Sequence, residues 1–203
     1  SQSANDAYEQ SFFDRDKSDL DQLLAGEYQL SNNPSREFLD NWFAQLEGSA
    51  AVDKALHIDS GVMLVDDPVK RVDNMTMSWG LEARVPFLDH ELVEAAFTIP
   101  AKFKYEDGGK KILKDVARKY IPADVIDRPK GYFPVPALKY IRGDYLEMIR
   151  SAVDSQRARE RGIVSRKRLN EMLSAPDDCI TRLRGNTLWQ YAVLEMWLQS
   201  QDL

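Results

Sequence analysis

The sequence predicts a mainly α protein. Apolar residues recur at three- and four-residue spacing over most of the chain, the mark of one-sided helices. Gly, Pro, Asp and Asn punctuate those stretches where helices start and stop. No alternating apolar–polar run is long enough to make a strand.

In chain order, Tyr8, Phe12, Phe13, Leu20, Leu23 and Leu24 mark helical faces between Ala7 and Leu24, and Gly26 stops the run. Ser31-Asn32-Asn33-Pro34-Ser35 is a turn. Ser35 precedes a helix striped by Phe38, Leu39, Trp42, Phe43 and Leu46 and closed by Gly48. From Ala50 to about Trp79 the pattern is helical but interrupted. Pro68 follows Asp66-Asp67, which predicts a break with Asp67 as N-cap and Pro68 at the first helical position. Val52, Leu56, Met63, Leu64 and Val65 are core candidates before it; Val69, Val72, Met75, Met77 and Trp79 are candidates after it, and Gly80 closes the helix. Leu81 to Leu88 reads as a loop broken by Pro86. Asp89 then caps a helix that buries Leu92, Val93 and Phe97 and ends at Ile99-Pro100. After the turn Asp107-Gly108-Gly109 comes a helix with Ile112, Leu113, Val116, Ala117 and Tyr120, and Pro122 opens a short helical turn to Ile126.

Asp127 to Pro136 departs from this pattern. Three prolines and a glycine in ten residues exclude regular helix and predict a fixed, irregular loop with two aromatics and two cations. Helices resume from Ala137 through Val153, from Arg166 to Leu173 and from Thr187 to Gln199. The last carries Leu188, Trp189, Ala192, Val193, Met196 and Trp197. With no linker or internal repeat, residues 1–203 read as a single helical domain. Residues 1–50 form its acidic N-terminal appendage and 51–203 its body.

Composition narrows the function classes. Hydrophobic residues make up 43% and charged residues 30% of the 203, which is globular and not disordered. A chain of this size can bury roughly 70% of its unfolded surface. The apolar runs are too short to span a membrane. Lys and Arg total 27 against 33 Asp and Glu, net −6, so a nucleic-acid coat, which needs a positive field, is not expected. The imbalance sits in the first 60 residues, which hold 4 basic and 12 acidic side chains. One cysteine, Cys179, excludes an internal disulfide and a zinc cluster and points to a reducing, cytoplasmic setting. The first residues show no basic start or apolar h-region, so no signal peptide is expected. The lack of an initiator Met suggests a processed or truncated product.

Several chemistry-bearing residue types have plain structural explanations. His57 and His90 lack metal-ligating company, and no metal site is expected. Cys179 has no base or oxyanion donor near it in sequence and reads as a small apolar residue. The basic run Arg157, Arg159, Arg161, Arg166, Lys167 and Arg168 has no interleaved aromatics and reads as a solvated face. Two segments ask for more. In Val72 to Asp89, Glu82 and Arg84 stand among apolar residues, where charges need partners; a salt-bridged brace accounts for them structurally. In Arg128-Pro129-Lys130-Gly131-Tyr132-Phe133, with Lys110 and Lys111 upstream, a lysine on a rigid loop is either a surface residue or a cation that neutralises phosphate charge.

Leu81-Glu82-Ala83-Arg84-Val85-Pro86-Phe87-Leu88-Asp89-His90 closely resembles the signature of the asparagine synthetase family. So do Asp66-Asp67, Val72-Asp73-Asn74-Met75-Thr76-Met77, Gly109-Lys110-Lys111-Ile112-Leu113-Lys114 and Asp127 to Phe133, in order and spacing over roughly residues 57–150. The C-terminal helix from Leu188 fits as well. Arg128 to Tyr140 looks most like the branch of N-acetylglutaminylglutamine amidotransferases, which make the amide of a small dipeptide osmoprotectant.

The resemblance implies an ATP-dependent, amide-forming ligase: a carboxylate is adenylated, and ammonia released from glutamine in a separate N-terminal domain attacks it. Lys130 matches the family's catalytic lysine. Lys110 matches a second cation of the site, while Asp67 (or its neighbour Asp66) and Asp73 fall on the substrate side. Glu82 and Arg84 carry over as a brace that shapes the site. The departures are as informative. The family's Ser-Gly-Gly-x-Asp-Ser phosphate loop, its Gly-Glu-Gly-x-Asp-Glu magnesium motif and its N-terminal Cys are absent from this sequence. The expectation is therefore a helical C-terminal part of an α/β adenine-nucleotide-binding synthetase domain of the PP-loop type. It would need ATP and Mg in the full-length parent, bind neither alone, and be inactive by itself. Its partners would be a small carboxylate and ammonia, not nucleic acid or membrane, and a homo-oligomer is left open. The competing reading is a stand-alone, non-catalytic helical interaction module.

Overall fold

The computed structural model describes residues 3–129 and 141–203. Helix accounts for 69% of the described residues. Among the described residues no strand forms, and the β-bridges Leu24–Val164 and Ile180–Asn186 stand alone. The mainly α fold class is as the sequence predicts. The chain divides into two compact units, Ser1–Glu37 with Tyr132–Leu203, and Phe38–Gly131.

The first unit begins with α1 (Ala4–Phe12) and α2 (Lys17–Leu23). Periodicity suggested one helical stretch here. The chain breaks because Asp16 and Asp19 form a reciprocal capping box that starts a second helix: the Asp19 N–H donates to Asp16 Oδ1 and the Asp16 N–H to Asp19 Oδ2, both at 3.0 Å. α3 (Pro34–Ala44), whose residues from Phe38 on belong to the second unit, starts two residues earlier than a helix preceded by Ser35 implied. Pro34 occupies its first position and Asn33 caps it, accepting the Arg36 N–H at 3.2 Å. The remaining helices of this unit are, in the numbering of the whole chain, α10 (Gly143–Val153), α11 (Gln156–Arg161), α12 (Arg166–Ser174) and α13 (Thr187–Ser200). Their apolar faces meet in one core built on Ile149, Val153, Leu169, Met172, Leu188 and Ala192.

The acidic leader is stitched to this core. Leu23 packs on it. The Ala25 N–H donates to Ile163 O at 2.9 Å and the Ser165 N–H to Leu23 O at 3.2 Å. Arg182 pairs with Asp16 at 3.0 Å. Leader residues through Glu37 thus group with the C-terminal stretch. Two groups of this unit are set by burial. Glu195 is fully buried, held by Arg161 at 2.5 Å and by the Tyr191 hydroxyl at 3.0 Å. Burial, reinforced by the Glu195 charge, pushes the Tyr191 phenol well above its ordinary range. Cys179 is buried with its thiol directed at Ala175 O, 3.5 Å away, and burial raises its pKa, as suits an inert thiol. The basic run is largely paired: Arg157 with Asp202, Arg159 and Arg166 with Asp154, Arg161 with Glu195 and Arg168 with Glu171.

The second unit holds α4 (Ala51–Ile58), α5 (Lys70–Met77), α6 (His90–Thr98), α7 (Ala101–Tyr105), α8 (Lys111–Ala117) and α9 (Ala123–Ile126). No break occurs at Pro68. Two π-helical stretches, Asp59–Met63 and Val65–Val69, carry the chain from α4 into α5. The Leu64 N–H donates to Asp59 O and the Lys70 N–H to Val65 O, each five residues back. Pro68 has no N–H, and the wider π turn accommodates the ring that an α turn would reject. Asp67 is therefore not an N-cap; it pairs along the helix with Arg71 at 3.2 Å. Asp89 is a cap, accepting the N–H groups of Glu91 at 3.1 Å and Leu92 at 3.3 Å.

Burial departs from expectation in this unit. Leu39, Phe43 and Ile58 are buried, but Leu92 and Phe97 of α6 and Ile112, Leu113, Val116 and Tyr120 on and after α8 are exposed. So are Met75, Met77 and Trp79 at the end of α5. Helical periodicity reported which side is apolar and said nothing of what lies against it.

Candidate functional site

A groove of about 700 Å³ opens within the second unit. One wall comes from the second π stretch and α5: Leu64, Val65, Asp66, Pro68, Val69, Lys70, Val72 and Asp73. The other is the loop Ala83 to Leu88. Local chemistry fixes both. The π turns sit where Pro68 forbids an α hydrogen bond, and such turns recur at functional sites. At the end of α5 the chain reverses through Gly80, whose φ of +67° is a left-handed conformation that suits glycine. The Leu81 N–H then returns to Thr76 O at 3.1 Å. The far end of the loop is closed by a 3₁₀ turn, Pro86–Leu88, and by the Asp89 cap.

Of the residues singled out by sequence, Asp66, Asp73 and Arg84 line this groove. Asp67 is turned to Arg71 instead. Glu82 pairs with Arg84, Oε2 to Nη2 at 3.3 Å. Both side chains are exposed. The brace expected between buried charges is thus a solvated pair, worth little to stability and easily exchanged for another partner. Lys70, which the sequence reading passed over, adds a second cation. Two carboxylates and two cations therefore edge an otherwise apolar trough.

Lys110 is not in that groove. It lines a second, smaller one of about 390 Å³ with Val52, Leu56, Phe103 and Leu113. Its backbone is left-handed, φ +61°, directly after Gly108 at +75° and Gly109 at +91°. The Lys110 N–H donates to Lys104 O at 2.9 Å and closes the loop. Beside it Lys104 pairs with Asp53 at 3.1 Å, a contact no sequence signal announced because the partners are distant in the chain. Lys130 lies outside the described residues. Among those described, no three His, Cys, Asp or Glu side chains gather to hold a metal ion. The family's phosphate loop is also missing from the sequence.

Comparison with known proteins gives the arrangement its context. The family model for asparagine synthase matches residues 3–199, acidic leader included. Asparagine synthetase [glutamine-hydrolyzing] 1 of Bacillus subtilis is 25% identical over 170 residues, covering 81% of this chain and 26% of that protein. A putative asparagine synthetase [glutamine-hydrolyzing] of Mycobacterium bovis is 32% identical over 157 residues, covering 76% of this chain and 24% of its own length. Asparagine synthetase [glutamine-hydrolyzing] 3 of Bacillus subtilis is 34% identical over 135 residues, 63% of this chain and 22% of the relative. The chain thus spans about a quarter of the length of these relatives. No solved structure matches it.

Proposed function

The chain belongs to the asparagine synthase family, and from that premise we propose that it forms the acceptor-side wall of an ATP-dependent, glutamine-using enzyme that turns a carboxylate into an amide. The observation that carries this is the groove in which Asp66, Asp73 and Arg84, three positions matching family motifs, come together. Arg84 and Lys70 suit a carboxylate, and the two aspartates suit an ammonium or amide N–H. Lys130 supplies the cation that stabilises negative charge as it develops on the reacting group; Lys110, which lines the separate smaller groove, is kept as a second cation on the family resemblance alone. Glu82 pairs with Arg84 in this structure through an exposed contact, which leaves the guanidinium able to exchange to a substrate carboxylate.

ATP and Mg are held by parts of the enzyme that this sequence does not contain, since the described residues do not fit them. The 203 residues alone form no amide. The acceptor belongs to the class of small carboxylates, and the sequence from Arg128 to Tyr140 favours a dipeptide converted to an osmoprotectant amide in the cytoplasm.

The test is Lys130→Ala in the complete enzyme containing this chain. A loss on the order of 100-fold or more in kcat is expected, with a smaller change in KM for the carboxylate, because charge is removed from the transition state. Unchanged turnover would favour an interaction module without catalysis. Amide synthesis by the purified 203-residue chain would overturn the division of labour proposed here.

A further inference from the structure

In the first unit one neutral side chain keeps the opposite charges of two adjacent residues apart. Gln190 of α13 accepts from the Arg15 guanidinium at Oε1 and donates from Nε2 to Asp14 Oδ2 at 2.8 Å. Arg15 also donates to the Thr187 hydroxyl at 3.2 Å, and the Leu183 N–H donates to Asp14 Oδ1 at 3.0 Å. All of these partners are neutral. Among the described residues neither Asp14 nor Arg15 enters an ion pair, and the Asp178 carboxylate makes no hydrogen bond. Asp14, Arg15 and Asp178 line one cavity of about 230 Å³. Its other charges are already paired: Arg182 with Asp19 at 3.5 Å and Arg168 with Glu171 at 3.2 Å. Half-buried charges with only dipolar partners keep their capacity for a counter-charge. A charge-assisted hydrogen bond there is about twice as strong as a neutral one.

We propose that this cavity binds a free α-amino acid with a small polar side chain, its carboxylate on Arg15 and its ammonium on Asp14 and Asp178. The cavity offers both signs of charge, and an α-amino acid carries both on one carbon. It therefore meets them without bringing net charge into a half-buried space. A lone anion would face the two carboxylates, and a lone cation the guanidinium. A volume of about 230 Å³ lies below the roughly 300 Å³ at which pockets for drug-sized ligands begin, and suits a small amino acid. The rest of the wall is polar: Gln22, Thr181 and Thr187 offer an amide and two hydroxyls to the side chain. No residue of the second unit takes part, so the site stands whether or not the catalytic reading does. The acidic leader and the stretch from Asp178 to Thr187 share the wall, and the bond between Asp14 and Leu183 already spans 169 residues. A bound amino acid ties the two segments together and stabilises the first unit.

The probes are L-serine, L-threonine and L-asparagine, titrated calorimetrically into the 203-residue protein, with acetate and ethylamine as single-charge controls. Expected is saturable binding of at least one amino acid with a Kd of about 1 mM or below, and no binding of either control at about ten times that concentration. No heat from any of the amino acids would overturn the proposal, and so would equal binding of acetate or ethylamine, which would mark a plain anion or cation site. Cys179, the chain's single cysteine, lies buried on the same wall, so its alkylation by iodoacetamide reports on this cavity. A saturating amino acid should slow that reaction about threefold or more. Binding that leaves the rate unchanged occurs elsewhere and overturns the assignment. Arg15→Met should weaken binding about tenfold or more. Asp178→Asn alters an exposed side chain that bonds to nothing in the fold, and should weaken binding while leaving the helical circular dichroism unchanged. Unaltered affinity in either variant defeats the proposal.

Discussion

Asp154 has a guanidinium on each side, Arg159 and Arg166. The Arg159 guanidinium, and then Arg166, hold its carboxyl down at about 2 from the ordinary 3.8. A depressed carboxyl stabilises the fold above its unfolded pKa, and that contribution is lost as pH falls through the folded value. Asp154→Asn should therefore lower stability at pH 7 and make little difference near pH 2. Both arginines are more than half exposed, so solvent screening limits the effect to about 1 kcal/mol. Urea midpoints of the two proteins across that range check it; equal midpoints at pH 7 would remove the claim. The basic run was legible as a surface face, but its carboxylate partners were not. Asp154 and Arg166 are twelve residues apart, and Arg161 reaches Glu195 across thirty-four. Asp89, by contrast, was readable as a cap because a cap acts on its own next three residues.

Elements were legible wherever the deciding interaction was local. Helix types and most ends follow from caps, glycines and periodicity. The exception is the stretch from Ala51 to Met77, where Pro68 suggested an end and the chain widens into π turns instead. Proline announces a missing hydrogen bond, and not how the backbone absorbs it. Gly61 sits in the first π stretch under the Trp42 ring. A Cβ there would come within 2.5 Å of Trp42 Cη2 and 2.8 Å of Cζ3. Trp42 also meets the His57 ring at 5.1 Å, so its displacement is not free. Gly61→Ala gains up to about 1 kcal/mol in helix propensity and costs about 1–3 kcal/mol through overpacking. Net destabilisation is expected, read as a lower urea midpoint; a raised midpoint would show the ring moves freely.

On the scale of the whole molecule, the two units differ in what they bury. Ser1–Glu37 with Tyr132–Leu203 encloses a single apolar core; Phe38–Gly131 keeps few apolar side chains from water. Amide exchange should reflect this. The slowest amides are expected in α10 and α13, with α5 to α8 exchanging faster, since protection follows buried apolar contact. Uniform protection across the chain would contradict that. The charge step near residue 60 was visible in the sequence. The bonds from the acidic leader to residues 163–165 and 182 were not, because they join ends of the chain that no local pattern links. The candidate site was partly legible: motif order pointed to Asp67 with Asp66 as its alternative, to Asp73, and to Arg84 as a brace, and the groove is lined by Asp66, Asp73 and Arg84, while Lys70 and the separate location of Lys110 needed three dimensions.

Lys110 holds a left-handed backbone that glycine would adopt without strain, at a cost of roughly 1–2 kcal/mol for an L-residue. Its neighbours on the N-terminal side are already glycines. Under the proposed role of Lys110 as a cation of the site, selection sees two opposed pressures at this one codon. A library grown under selection for folding alone should drift there to glycine or asparagine. A library grown under selection for amide formation should retain lysine, and deep sequencing of the two populations would read the difference directly.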